Sequence, residues 1–343
     1  MDTGTGIDPE TETKTETKTG IGADPDPGTD PDPDPGTDPD PDPGTDPAPD
    51  PGTAPDTDAD TGGWHLTHDL DDFLTRAGAF LRSRPALHTV PLTVTETLRT
   101  RGRCVYGGGA PEFGVLERAG EVRAAFFRTP PHWLNLTALT PEDADSLAAR
   151  LAALGRRLPG VNAECDTAAA FAGAWQRHTG APAVLRQRQR LYRLDTLTQP
   201  VPVPPGGPRV AVEADRELLL RWHEEFSVAV GLGSVRDSAE WADARIDSGG
   251  ITLWETPDGT PVAMAGTGPR VAGQVRVAPV YTPPDLRGRG YAGAATTEVS
   301  RAALASGADE VLLFTDLDNP TSNGLYQRIG YRPVADFDVY DFT

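Results

Sequence analysis

Arg287-Gly288-Arg289-Gly290-Tyr291-Ala292 stands between the apolar run Val275 to Tyr281 and a helical pattern that continues to Ser306. The hexapeptide reads as a cradle for a pyrophosphate. Two glycines within three positions let the backbone approach a ligand closely, and a helix opening just after them aims unpaired N–H groups and a positive dipole end at an anion. The two arginines add charge-assisted donors that suit phosphate oxygens. A Gly-rich turn that merely caps a helix would carry the same letters.

Gly288, Gly290 and Gly293 also satisfy G-x-G-x-x-G, and the strand-like Val311-Leu312-Leu313-Phe314 ends at Asp316, where a dinucleotide fold places its ribose-binding acid. That fold needs several further strands, yet only 27 residues follow Asp316. The fingerprint also normally opens its fold, whereas this one lies near the end of the chain.

The company of the loop points elsewhere. Upstream stands Val280-Tyr281-Thr282-Pro283-Pro284, and downstream Asn319-Pro320-Thr321-Ser322-Asn323-Gly324-Leu325-Tyr326-Gln327-Arg328-Ile329-Gly330-Tyr331. Together these blocks resemble the GNAT superfamily of N-acetyltransferases. The family loop of Gln or Arg, two residues, Gly, one residue, then Gly or Ala is filled by Arg287, Gly290 and Ala292. Its second block, an Asn-bearing helix start, a Tyr and a strand opening on Gly-Tyr, is filled by Asn319, Asn323, Tyr326 and Gly330-Tyr331. The resemblance runs from about Arg209 to the last residue.

That resemblance implies acetyl-CoA as co-substrate and direct attack by a primary amine, on a small molecule or a peptide, within a ternary complex. The cofactor contacts it implies are Val280, Tyr281, Thr282, Arg287, Gly288, Arg289, Gly290, Tyr291, Ala292, Asn319 and Asn323, with backbone N–H groups at Val280 to Thr282 as donors to the developing oxyanion. Tyr326 is implied as the proton donor to the leaving thiolate. Each residue also has a plainer reading. Val280 and Tyr281 would finish a sheet strand in any case, and the spacing of Tyr326 from Leu325 and Ile329 suits a packed aromatic. Asn319 before Pro320 is a helix N-cap pattern. Asn323 is a poor helix former inside the first turns, which leaves it the less easily explained as structure. Glu224, Glu225, Asp237 and His223 are open candidates for a base, none of them singled out by pattern. A non-catalytic acyl-CoA sensor would keep the Arg287 to Ala292 cradle without needing Tyr326.

Composition divides the chain. The unit Asp-Pro-Asp-Pro-Gly-Thr-Asp-Pro recurs every eight residues from Asp24 to Pro47, and residues 1–61 hold eighteen acids against two lysines, a net −16 out of the total −20. A segment with so little apolar surface is expected to be a disordered spacer. The remainder is close to neutral, so the acidic pI belongs to the tail and gives no reason to expect a nucleic-acid partner. Lys14 and Lys18 are the only lysines, and both precede the remaining 282 residues. Schiff-base and Walker-type phosphate chemistry are thereby excluded for that part. Cys104 and Cys165 are far apart without clustered histidines, which argues against a metal site and reads as two small buried hydrophobes. No long apolar run or signal-like leader appears, so the expectation is a cytoplasmic protein that uses no membrane.

Element patterns predict an α/β fold, a mixed central sheet flanked by helices, in two tandem GNAT-like domains. Residues 64–197 form a degenerate first copy, 198–208 a Pro-rich linker and 209–343 the catalytic copy. The first copy has Thr140-Pro141-Glu142-Asp143-Ala144-Asp145 where a phosphate loop would sit, and those acids would repel a pyrophosphate.

Overall fold

The helices Leu70–Arg82, Pro141–Ala153 and Pro320–Arg328 begin on a side-chain cap. In the computed structural model, which describes residues 63–103, 105–107, 109–230 and 238–343, Asp69 accepts from the Asp71 N–H at 2.8 Å to open α1 (Leu70–Arg82). Thr140 caps α3 (Pro141–Ala153), with Pro141 in the first turn, where its missing N–H costs nothing. The acidic repeat expected to be disordered, Cys104 and Asp237 lie outside the described residues.

The described residues run through one order of ten elements twice. The first pass is β1 (Trp64–Thr67), α1, α2 (Thr89–Arg101), β2 (Glu112–Arg118), β3 (Glu121–Arg128), β4 (Leu134–Leu136), α3, β5 (Gly160–Glu164), α4 (Cys165–Thr179) and β6 (Ala183–Leu194). The second is β7 (Gly207–Val210), α5 (Arg216–Ala229), α6 (Ser238–Asp247), β8 (Ile251–Glu255), β9 (Pro261–Thr267), β10 (Gln274–Tyr281), α7 (Tyr291–Ala305), β11 (Glu310–Asp316), α8 (Pro320–Arg328) and β12 (Tyr331–Phe342). All twelve strands join one mixed sheet in the order β1-β2-β3-β4-β5-β12-β6-β11-β10-β9-β8-β7.

The centre of that sheet departs from the sequence expectation. Tyr331 to Phe342 reads as a closing strand pair, but it is one twelve-residue strand whose partners are β5 on one side and β6 on the other. β6 in turn pairs with β11. The last strand of each pass therefore lies beside the fifth strand of the other, and the sheet continues through the junction of the two passes. Val90 to Arg101, which the sequence leaves unassigned, is helical within α2, and the strand expected at Val210 to Glu213 ends at Val210, followed by a single 3-10 turn.

Helices cover both faces. α7 and α8 bury Val275, Val277, Ala294, Val299, Tyr326 and Ile329 on one side of the second-pass strands. α5 and α6 bury Leu219, Trp222 and Ala242 against Ile251, Leu253, Met264 and Tyr281 on the other. Alternation along β10 sets which side chain meets which layer. Cys165 is half-buried at the start of α4, where burial and Asp166 push its thiol pKa up, so it is less enclosed than its sequence reading suggests.

Candidate active site

β10 and β11 are parallel for three rungs only, Gln274↔Glu310, Val275↔Val311 and Arg276↔Leu312. Beyond Arg276 the two strands part. β11 continues along β6 as far as Asp316↔Gln189, while β10 stays on β9 through a register shift between Val277 and Val280. The residues from Val277 to Tyr281 thus have a strand neighbour on the β9 side and none on the β11 side. Backbone polar groups on such an open edge are ready to pair with an extended ligand.

The open edge leads into the loop that the sequence singled out. Gly288 has φ of 76° and Gly290 of 86°, and Gly290 is the left-handed cap from which α7 begins. A Cβ at Gly288 would meet nothing within 4 Å, so the requirement there is conformation. No side chain caps α7. Its first-turn N–H groups and positive dipole end are consequently available to an anion. Arg287 donates through Nε to the Thr282 carbonyl at 3.0 Å, and Arg289 donates to the Asp285 carbonyl at 3.0 Å, so both arginines are braced on the loop itself. The buried Thr282 Oγ1 has no partner among the described residues.

The other sequence candidates have more defined surroundings. The Tyr281 side chain turns away from the open edge, packs against Trp222 with ring centroids 6.1 Å apart and donates its hydroxyl to Glu225 at 2.7 Å. Burial, followed by the Glu225 carboxylate, pushes its pKa up to about 12. Only the backbone of Tyr281 is left to face a ligand in the gap. Asn319 caps α8 by accepting from the Ser322 N–H at 3.0 Å. Asn323 gives both amide donations to backbone carbonyls, Asp316 at 2.7 Å and Asn319 at 2.8 Å, and accepts from the Tyr192 hydroxyl at 2.9 Å. Sequence reasoning missed Tyr192, because nothing local ties it to a residue 131 positions away.

Tyr326 is buried in the cluster under α7 with Val275, Val277 and Tyr291, edge-on to Tyr331 at 6.1 Å. Burial lifts its hydroxyl to about 12, so it is protonated near neutrality. No hydrogen bond engages that hydroxyl among the described residues. Val280 packs against the same cluster, and Tyr291 and Ala292 form the first turn of α7.

On the other side of β10 a groove of ≈ 1050 Å³ opens between α5 and the loop, lined by Trp222, Glu225, Val228, Tyr281, Pro284 and Arg287. Glu225 is spent on Tyr281, and Glu224 also lines the groove. His223 stacks on Trp241 at 3.8 Å with the rings 7° from parallel. Burial, aided by the charge of Arg245, pushes its pKa down to about 4, which leaves a neutral imidazole. At the start of α3, the counterpart of α7 in the first pass, no glycine stands among the described residues. α3 opens on Glu142 and Asp143, and Asp143 is tied to Arg118 and to its own cap Thr140.

A parallel strand pair that parts midway, followed by a glycine loop and a bare helix N-terminus, is an arrangement on an α/β sheet suited to an extended ligand that ends in an anion. Residues 216–331 match the acetyltransferase (GNAT) family, and the chain carries a domain of that family over this stretch. An acetyltransferase of the GNAT family from Colwellia psychrerythraea is similar in fold, with TM-score 0.52 and 11% identity over 82% of this chain and 99% of its own. A GCN5-related N-acetyltransferase from Sphaerobacter thermophilus has TM-score 0.54 and 19% identity, covering 81% of this chain and 94% of that one. At such identities the likeness establishes the fold alone, but its extent takes in both passes. A search of the curated proteins finds no match.

Proposed function

We propose that the chain is an acetyl-CoA-dependent N-acetyltransferase acting on a primary amine by direct attack in a ternary complex. The observation that carries this reading is the parting of β10 from β11 beyond Arg276, which leaves an open strand edge leading straight to the uncapped start of α7. The residues there fit acetyl-CoA. The unpartnered Thr282 Oγ1 and the free first-turn N–H groups of α7 are unsatisfied donors where a long polar ligand would lie.

When bound, acetyl-CoA supplies an activated acetyl thioester. Gly288 to Ala292 and the braced Arg287 and Arg289 would hold its phosphates, and the open backbone of Val280 to Thr282 would hold its extended arm. Donors on that edge lie outside the β9 ladder and suit a developing oxyanion. The neutral Tyr326 hydroxyl, free of other partners, is suited to deliver a proton to a thiolate. Asn319 and Asn323 act in this reading through the position of α8, since their side chains are spent on its capping and bracing.

Gly290→Asp tests the cradle. A Cβ there meets only Pro204, at 3.8 Å, and Asp tolerates the left-handed region at a cost of about 1–2 kcal/mol. The variant is therefore expected to fold while its carboxylate faces the anion path. Calorimetric titration should find acetyl-CoA binding abolished. Unchanged affinity in a folded variant removes the proposal.

A further inference from the structure

Val275 and Val277 point into the layer under α7, so strand alternation turns Arg276 to the opposite face of the sheet. Gln274, on that same face, accepts from Thr89 of α2 at 2.9 Å. Arg276 forms the last rung with β11, and its carbonyl accepts from the Gly268 N–H at 2.9 Å. It therefore stands where the strands part, on the side away from α7. Arg245 of α6 reaches the same place, donating through Nη1 to the carbonyl of Thr267, the partner of Val277 in the ladder.

Among the described residues, two guanidinium groups converge there without a counter-charge. Several arginines elsewhere are paired with carboxylates: Arg190 with Asp336, Arg209 with Asp215 and Glu255, and Arg216 with Asp243. Among the described residues no carboxylate pairs with Arg245 or Arg276, and Glu240 of α6 is 3.9 Å from Arg101 instead. Burial depresses both pKa values, that of Arg245 to about 10, and the charge of Arg276 acts on Arg245 in the same direction. Holding two like charges partly out of water is destabilising unless an anion joins them. Tyr106 lies within electrostatic reach of both, and the neutral His223 within reach of Arg245.

We propose that Arg245 and Arg276 recognise an anionic group, a carboxylate or a phosphate, on the acceptor amine, a reading that rests on the acetyltransferase function proposed above. The acceptor would meet the parting of the strands from the α2 and α6 side, with its anion on the two guanidinium groups and its amine directed at the gap. Charge-assisted bonds from arginine suit either oxyanion.

The test has a binding arm and a turnover arm, both on the full chain. At matched ionic strength, sodium succinate or sodium phosphate should raise the wild-type melting temperature above that in sodium chloride by mass action. Whichever anion does so identifies the group, and the rise should vanish in Arg276→Met and in Arg245→Met. In chloride alone Arg276→Met should melt no lower than wild type, because an unpaired charge is replaced by an apolar chain; a structural arginine would give the opposite result. In turnover, an amine bearing the favoured anion should exceed its uncharged counterpart by about 10- to 100-fold in kcat/KM, the range of a hydrogen bond to a charged group. Arg276→Met should erase that preference with acetyl-CoA affinity unchanged. Absence of an anion-specific rise in wild type, with acetyl-CoA bound normally, overturns the anion site and leaves the acetyltransferase reading standing. Loss of acetyl-CoA binding with the rise intact overturns the acetyltransferase reading instead.

Discussion

Burial that lifts the Tyr326 hydroxyl to about 12 keeps it a proton donor through the whole physiological range, and its isolation from other partners separates chemistry from packing. Tyr326→Phe keeps the ring against Tyr331 and removes only the hydroxyl. A general acid contributes about 10² to 10⁴ in rate, and since a thiol of pKa about 8.5 leaves readily, the lower end of that range is expected for kcat. Stability should hold, because no hydrogen bond within the described residues is lost. Acetyl-CoA affinity should barely move, since the bond forms mainly in the transition state. An intact kcat would make Tyr326 a core aromatic. The glycine loop that opens α7 was legible at this scale because glycine and arginine spacing is a local signal. Arg276 was not, because an arginine alternating with valines in a strand has the same pattern as a solvent-facing residue, and only the packing of α2 over that face reveals otherwise.

Among elements, α8 illustrates how a motif residue acquires a different occupation once the fold is built. Asn319 starts the helix as its pattern predicts, while Asn323 ties the helix to the end of β11 and, through Tyr192, to β6. Gln327 completes the brace by donating to the Tyr192 hydroxyl at 3.0 Å. Asn323→Ala removes two donations and takes away the acceptor of the Tyr192 hydroxyl, so a loss of about 1–3 kcal/mol of stability is expected in chemical denaturation. Acetyl-CoA affinity, measured by calorimetry below the unfolding transition, should stay within about twofold, since each donor of Asn323 is already engaged inside the protein. A large loss of affinity with stability unchanged would return Asn323 to the cofactor. The starts of α1, α3 and α8 and the β2–β3 and β8–β9 hairpins were readable from caps and turns. The pattern from His132 to Leu139 reads as one strand, yet only Leu134–Leu136 enter the ladder as β4.

At the level of the whole molecule, the recurrence of one mixed α/β order was readable from the sequence, whereas β1, α2 and the placing of β6 and β12 were not. β6 and β12 are apolar–polar alternating segments that look complete in either pass, and register between segments so far apart is set by long-range pairing alone. β12 pairs with β6 at eleven positions and with β5 at five, and β6 also pairs with β11. Residues 207–343 made alone would therefore leave the β11 edge bare and deprive β12 of both neighbours. Each exposed edge is a template for association with other chains. The fragment is expected to be aggregated or to lack a cooperative transition, and residues 63–206 likewise, whereas co-expression of the two should restore a soluble complex. The intact chain should unfold over these residues in one calorimetric transition, with calorimetric and van't Hoff enthalpies equal. A soluble, cooperatively melting 207–343 fragment would show that the exchanged strands do not couple the two passes. The bare strand edges lead to the reverse outcome, because neither pass can close the centre of its own sheet.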